Sequence, residues 1–403
     1  MTMQYTHNGS ATRSLLYSAC FCVALAYGLF FLLPLYVQVL GGDERVVGKI
    51  LVASALGTLS SVTFTGRLLT VFRPGPLAAL GAGLYAAGGL LFAIVDGISP
   101  LHYFAGILLG AGWGLTYTVG PLLLSDMVDD ACRTFFFSVL SAFNMLGLGV
   151  APVVARWFLT DGLVSYHQVF LAAALLASTG SALFLLIGWH GRAAAAPAAM
   201  GMGEWRALRI ILGSEARYPL LMVLLGACVF SSMMNFQTTF AAAEGLDFSY
   251  FYIAYTAAVI GTRFLISGWV GRRNPQIAAT TLLCLMCASI ALFGGVGGTP
   301  WVYAVAAALL GVSYGLVYPL IQAMAINLSE PAVRSRVMVY FCLSYFIGVY
   351  VFPYFGAHVI IWYGYPGLLI VLFLLAFLEF AVALWRMAVH LMASRRVVQL
   401  ERV

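Results

Sequence analysis

The sequence predicts an all-α integral membrane protein of twelve transmembrane helices, arranged as two similar six-helix bundles. Three observations carry that prediction. Charged residues make up 8% of the chain and hydrophobic residues 63%, whereas soluble domains carry about 25% charge. A soluble globule could not hide so much apolar surface, so lipid is the solvent for most of it. The apolar residues fall into twelve runs, each near the ~20 residues that cross a bilayer. Finally, Leu108-Leu109-Gly110-Ala111-Gly112-Trp113-Gly114-Leu115-Thr116-Tyr117 reads against Leu309-Leu310-Gly311-Val312-Ser313-Tyr314-Gly315-Leu316-Val317-Tyr318 at an offset of 201 residues. The same offset carries Arg133 onto Arg334, Gly147 onto Gly348 and Pro152 onto Pro353. An offset near half of 403 residues marks two matched halves, not a short repeat array.

The runs are separated by Gly, Pro or charge. The first, 15–40, is too long for a signal-peptide core and lacks a cleavage site before a soluble domain, so it is read as a retained helix. Asp43 and Glu44 precede the second, 48–70; Arg73 and Pro74 precede the third, 77–95. The fourth, 101–125, stops at Asp126, the fifth covers 135–157, and the sixth, 168–189, closes the first half. The second half holds 218–242, 250–270, 277–295, 301–326, 337–362 and 366–386. The expected divisions are a first bundle at 1–190, a linker at 191–217 and a second bundle at 218–403. Within the linker, Glu204-Trp205-Arg206-Ala-Leu-Arg209-Ile-Ile-Leu is basic on one face and apolar on the other, which suits a short helix on the membrane surface.

Nineteen of the twenty basic residues are arginine. With the N-terminus inside, sixteen arginines face the cytoplasm, while Arg45, Lys49 and Arg156 face outward and Arg263 lies within a span. The positive-inside rule therefore places both termini in the cytoplasm. Seven cysteines sit mostly in apolar runs, and the Cys284–Cys287 spacing falls inside one, so they read as small apolar residues. No phosphate-binding glycine–lysine loop, nucleophile–base set or His/Cys ligand cluster emerges, so neither an enzyme nor a cofactor or metal site is expected. Two matched membrane halves are the architecture of secondary transporters, which hold a substrate between halves and rock around it.

Gly147-Leu-Gly149-Val-Ala151-Pro152-Val-Val-Ala155 is similar to the Gly-Pro motif in the fifth helix of antiporters of the major facilitator superfamily, with Ala151 and Ala155 where glycines are usual. Gly348, Pro353 and Gly356 repeat it in the eleventh helix. The resemblance covers essentially the whole chain and implies that family's fold, with alternating access and, from this motif, export. The family's loop signature survives as Gly66-Arg67…Arg73-Pro74 and Gly268-Trp-Val-Gly271-Arg272-Arg273, without its acidic residue. The resemblance implies that Arg67 and Arg272 latch an inner gate against Asp126 and Glu330, with Gly147, Pro152, Gly348 and Pro353 shaping the moving helices. The arginine of proton antiporters is absent from helix four, and helix one has no mid-membrane carboxylate, which argues against a pump for lipophilic cations.

Charge and strong polarity at membrane depth are costly and mark function. Arg263, in Thr256-Ala-Ala-Val-Ile-Gly-Thr-Arg263-Phe, offers a fixed fork of donors to a carboxylate or phosphate, or else a structural pair with helix carbonyls or a gate acid. In the family, helices one, four, seven and ten line the cavity, which would gather Gln38, Trp113, Tyr117, Asn235, Gln237, Tyr314, Tyr318 and Gln322. Asn235 and Gln237 are two apart and share no helical face unless the helix breaks. Asp126 and Glu379 are the proton-coupling candidates, with Glu379 expected to snorkel toward the inner surface. Arg156 is expected to reach interface water.

The expected activity is proton-driven export, across a bacterial inner membrane, of a small polar organic molecule. Asn235-Phe-Gln237-Thr-Thr-Phe and Gly245-Leu-Asp247-Phe-Ser-Tyr also resemble facilitators that export metal-chelating metabolites such as siderophores. The alternatives are proton-coupled uptake of a small anionic solute, and a receptor or assembly partner that transports nothing. No nucleic acid or nucleotide partner is expected.

Overall fold

A computed structural model describes residues 3–128, 130–190, 204–265, 274–330 and 334–400. All regular structure among them is helical. The first half contains α1 (Met3–Leu29), a 3-10 turn (Phe30–Leu32), α2 (Leu33–Val39), α3 (Glu44–Val71), α4 (Pro74–Ile94), α5 (Pro100–Ser125), α6 (Asp130–Thr160) and α7 (Tyr166–His190). After α8 (Glu204–Gly213) come α9 (Arg217–Asn235), α10 (Gln237–Ala243), α11 (Ser249–Leu265), α12 (Pro275–Phe293), α13 (Pro300–Asn327) and α14 (Arg334–Leu400).

Local chemistry sets these boundaries. Asp43 caps α3, its carboxylate accepting from the amides of Arg45 at 3.1 Å and Val46 at 3.3 Å. The Asn274 side chain caps α12 by accepting from the Gln276 amide at 2.9 Å. Pro74, Pro100, Pro275 and Pro300 occupy first turns, where a missing N–H costs nothing. Inside a run proline has the opposite effect. Pro34 removes a donor from the first crossing, and the chain tightens to 3-10 geometry just ahead of it.

Among the described residues, ten helices are long and apolar enough to cross a membrane. One of them is α14, whose 67 residues would extend about 100 Å if straight. It is two arms joined at Gly364, where φ is 68° and ψ −175°, a left-handed backbone that glycine adopts without a Cβ clash. The arms fold back on each other: Leu368 comes within 3.3 Å of where a Cβ on Gly356 would stand. The two remaining crossings expected from the sequence fall on the second arm of α14 and on α11, described as far as Leu265.

Short connections make successive crossings antiparallel. One face of the bundle, here the basal face, therefore carries the ends of α5, α7 and α13; the distal face carries the ends of α2, α4, α6 and α10. The first-half helices pack mainly on one another, as do those of the second half, and the halves meet where α3 lies on α14 and α6 on α11. Hydroxyls stitch neighbouring helices through carbonyls: Thr58 to Gly110 at 2.9 Å, Ser181 to Ala79 at 2.8 Å and Ser289 to Ala306 at 2.8 Å. Trp157, Trp301, Trp362 and Tyr363 are 64–81% exposed near the distal face, where an aromatic belt meets lipid headgroups.

Gly147 and Gly348 occupy matching crossings. A Cβ on Gly147 would lie 2.8 Å from the Ala24 Cβ of α1, and one on Gly348 2.7 Å from the Ala227 Cβ of α9. Each glycine thus lets its helix touch the first helix of its own half, close to the proline at 152 or 353 that interrupts the backbone ladder.

The linker segment 191–203 lies outside the described residues. Beyond it α8 forms, with Ile211 buried and Leu212 exposed.

Candidate functional site at the junction of the halves

The junction is built around one guanidinium. Arg263, in the last turn of α11, donates from Nη1 to the Ser141 hydroxyl of α6 and from Nε to the Gly315 carbonyl of α13, the latter at 3.4 Å. The first contact spans the two halves. The phenols of Tyr255, Tyr117, Tyr318 and Tyr314 all lie within electrostatic range of the guanidinium. Three of those tyrosines come from the second half and Tyr117 from the first.

Aromatic packing holds the tyrosines in place. Tyr314 stacks on Phe230 of α9 at 4.6 Å and 2°, and Tyr318 packs on Tyr345 at 5.1 Å. Trp113 lies 4.2 Å from Tyr27 and 5.5 Å from Tyr117, and Tyr117 meets Phe346 of α14 across the junction at 5.9 Å. Beside them Trp113, Tyr117, Cys20 and Asn144 border a slot of about 20 Å³, space for roughly one water. This slot is too small for an organic molecule. A larger cavity, about 440 Å³, lies elsewhere; Leu25, Val150, Val154 and Leu176 line it between α1, α6 and α7.

The structure divides the residues singled out from sequence. Arg263, Trp113, Tyr117, Tyr314 and Tyr318 share the junction, while Gln322, half-buried on α13, makes no hydrogen bond among the described residues. Gln38 does not belong there. It is exposed one residue from the end of α2 and donates to Glu44 at 3.1 Å, because the first crossing carries it past the buried part of the bundle.

Asn235 and Gln237 are both buried, because the helix does break between them at Phe236 (φ −104°, ψ 5°). Their amides serve the scaffold. Asn235 donates to the Ser231 carbonyl at 2.8 Å, and Gln237 accepts from the Tyr303 hydroxyl at 2.8 Å.

At the basal face Arg67 and Asp126 stand exposed, with no ion pair joining them among the described residues. Arg67 instead lies over the Phe64 ring at 5.7 Å. Glu330 is exposed, and Arg272 lies outside the described residues. Glu379 does not snorkel: it is 1% exposed, and both its oxygens are buried without a hydrogen-bond partner among the described residues. Arg386, two turns on, pairs with Glu215 instead.

Sequence reasoning missed a charged contact between the halves at the distal face. Arg156, at the end of α6, does not simply reach water; its Nε donates to Asp247, between α10 and α11, at 2.9 Å across the halves. Phe31 and Tyr252 stack nearby at 5.8 Å, again one from each half.

The bundle and its junction define a multi-pass membrane carrier that works between two helical halves. The chain belongs to the Major Facilitator Superfamily, whose model matches residues 15–341, and is accordingly a secondary carrier of small molecules. It is 26% identical over 320 residues to an uncharacterised MFS-type transporter of Pseudomonas aeruginosa, covering 76% of this chain and 75% of that protein. It is also 29% identical over 125 residues, 31% of each chain, to the multidrug resistance protein MdtL of Klebsiella pneumoniae. The nucleoside transporter NupG has the same fold, with a TM-score of 0.72, 16% identity and coverage of 94% and 98%. So does the Escherichia coli fucose:proton symporter FucP, with a TM-score of 0.62, 18% identity and coverage of 93% and 98%.

Proposed function

We propose that this carrier exports a small polar organic anion from a bacterial cytoplasm across the inner membrane, driven by inward proton flow. The observation that carries the reading is Arg263, a guanidinium at the meeting of the halves and surrounded by tyrosines. A planar fork of donors suits a carboxylate, and phenols suit the hydroxyls and rings of an oxygen-rich molecule. Metal-chelating metabolites of the siderophore type combine both groups. Export is supported by Gly147 and Pro152 at a helix crossing, and by the stretch shared with a multidrug resistance protein. With the basal face in the cytoplasm, as the arginine distribution favours, the Arg156–Asp247 contact closes the outer side. Arg67, Asp126, Arg272 and Glu330 then serve an inner gate that forms when the basal ends come together.

The test is untargeted mass spectrometry of medium and cytosol from cells lacking the protein, grown with and without iron. An organic anion that accumulates inside and falls outside, restored by wild type but not by Arg263→Lys, is the expected result. Lysine keeps the charge but loses the fork. A metabolite that instead rises in the medium and falls in the cell would reverse the direction to uptake.

A further inference from the structure

Glu379 is the most unusual carboxylate in the molecule. It sits on the second arm of α14, about 22 Å along the helix axis from the Gly364 turn, well inside a ~30 Å hydrocarbon layer. Its side chain points at α9, where Gly226 leaves room for it; a Cβ there would meet Oε2 at 3.0 Å and Oε1 at 3.1 Å. Three other titratable groups face it: the Cys228 thiol of α9, the Cys287 thiol of α12 and the Tyr314 phenol of α13. No cation pairs with it among the described residues. Charge on a carboxyl so enclosed is costly.

Tyr314 connects this pocket to the junction. Its ring lies against Phe230 of α9, its hydroxyl is buried without a hydrogen-bond partner among the described residues, and it lies within electrostatic range of both Glu379 and Arg263. The phenol is an unused donor between a carboxyl that makes no hydrogen bond and the guanidinium of the candidate substrate site. The helix that walls the carboxyl, α9, is also the one broken at Phe236 and crossed by Gly348.

We infer that Glu379 is the proton-binding site of the transport cycle, separate from the substrate site and linked to it through α9 and Tyr314. Protonated, Glu379 lets α9, α12 and α14 close as they do here. Loss of the proton leaves a charge that the closed packing cannot hold, so α9 moves, water enters, and Tyr314 can donate to the carboxylate. The proton leaves to that water and returns from the opposite side after the halves have rocked. Proton and substrate then need not compete for one group, since each biases the same helix from a different side. This deepens the proton-driven reading above and rests on it.

The test uses the full chain in lipid and needs no substrate. Infrared difference spectra of wild type against Glu379→Gln at neutral pH should show a protonated carboxylic acid that the variant lacks. Its absence would overturn the inference. Nitroxides attached at Val39 and Trp301, exposed at the distal face in opposite halves, then report the distance between halves as pH rises. The chain used has its native cysteines replaced. The parent should pass from one distance population to a second, while Glu379→Gln keeps the low-pH population throughout. Agreement with the parent at low pH shows that the variant is folded. A variant that follows the parent's pH response, or a parent with none, would refute the proton site. Both readouts are independent of which metabolite is exported, and in which direction.

Discussion

Breaking the Arg156–Asp247 contact should loosen the distal seal by an amount the geometry allows one to work out. The charges meet at 2.9 Å, but their side chains remain 27% and 33% exposed. Water and salt therefore screen a gross attraction of about 6 kcal/mol at an effective dielectric near 20. Asp247 keeps a second bond whether or not the arginine is present, from the Ser249 amide at 2.9 Å. The net coupling is then about 1 kcal/mol, the upper end for partly exposed pairs, and the open population rises about fivefold. The assay is the rate at which a membrane-impermeant thiol reagent, added outside, reaches Thr256→Cys, a position 6% exposed below the seal. Asp247→Asn and Arg156→Gln should each quicken labelling about fivefold, the double variant little more than either, and the difference should shrink in high salt. Additive effects of the two substitutions, or a rate in Asp247→Asn equal to the parent's, would show that the pair does not close this face.

Gly147→Val and Gly348→Val should each destabilise the protein by about 1–3 kcal/mol through overpacking, read as a lower melting temperature in detergent, because even a Cβ would lie within 2.8 Å of a neighbour. Tyr303→Phe should lower stability by about 1–3 kcal/mol by leaving the buried Gln237 carbonyl without its donor, with the same readout. Gln38→Ala should leave export of the identified metabolite unchanged, since the side chain is exposed and bonded only to Glu44 among the described residues. A marked loss of export there would return Gln38 to the substrate path.

What could be read from sequence follows from how each property is encoded. Hydropathy and its Gly, Pro and charge separators are local, so the spans and most of their boundaries were legible, including the break between 362 and 366; the end expected at 270 lies outside the described residues. The family was legible because the repeat and the motif at Gly147–Pro152 are contiguous. The clustering around Arg263 was partly legible, since an arginine inside an apolar run announces itself. Its partners were not: Ser141 is 122 positions away, and such pairing is decided by tertiary packing. The same reason hid the partnership of Arg156 with Asp247. Gln38 went wrong because membership of a cavity-lining helix does not fix the depth of a residue along it. Glu379 was expected to snorkel because the room that Gly226 provides on another helix is invisible from α14.

The repeat is a repeat of path, not of chemistry. At the offset of 201, Arg263 answers to Val62 and Glu379 to Ser178, so the guanidinium and the carboxyl deepest in the bundle both belong to the second half. The first half contributes hydroxyls, rings and a close-fitting wall. The two halves thus differ as a fulcrum differs from a working arm. On the reading proposed above, recognition and energy coupling travel mainly with one of them, and a hybrid keeping residues 218–403 of this chain beside the first half of a relative is expected to inherit the ligand preference of this carrier.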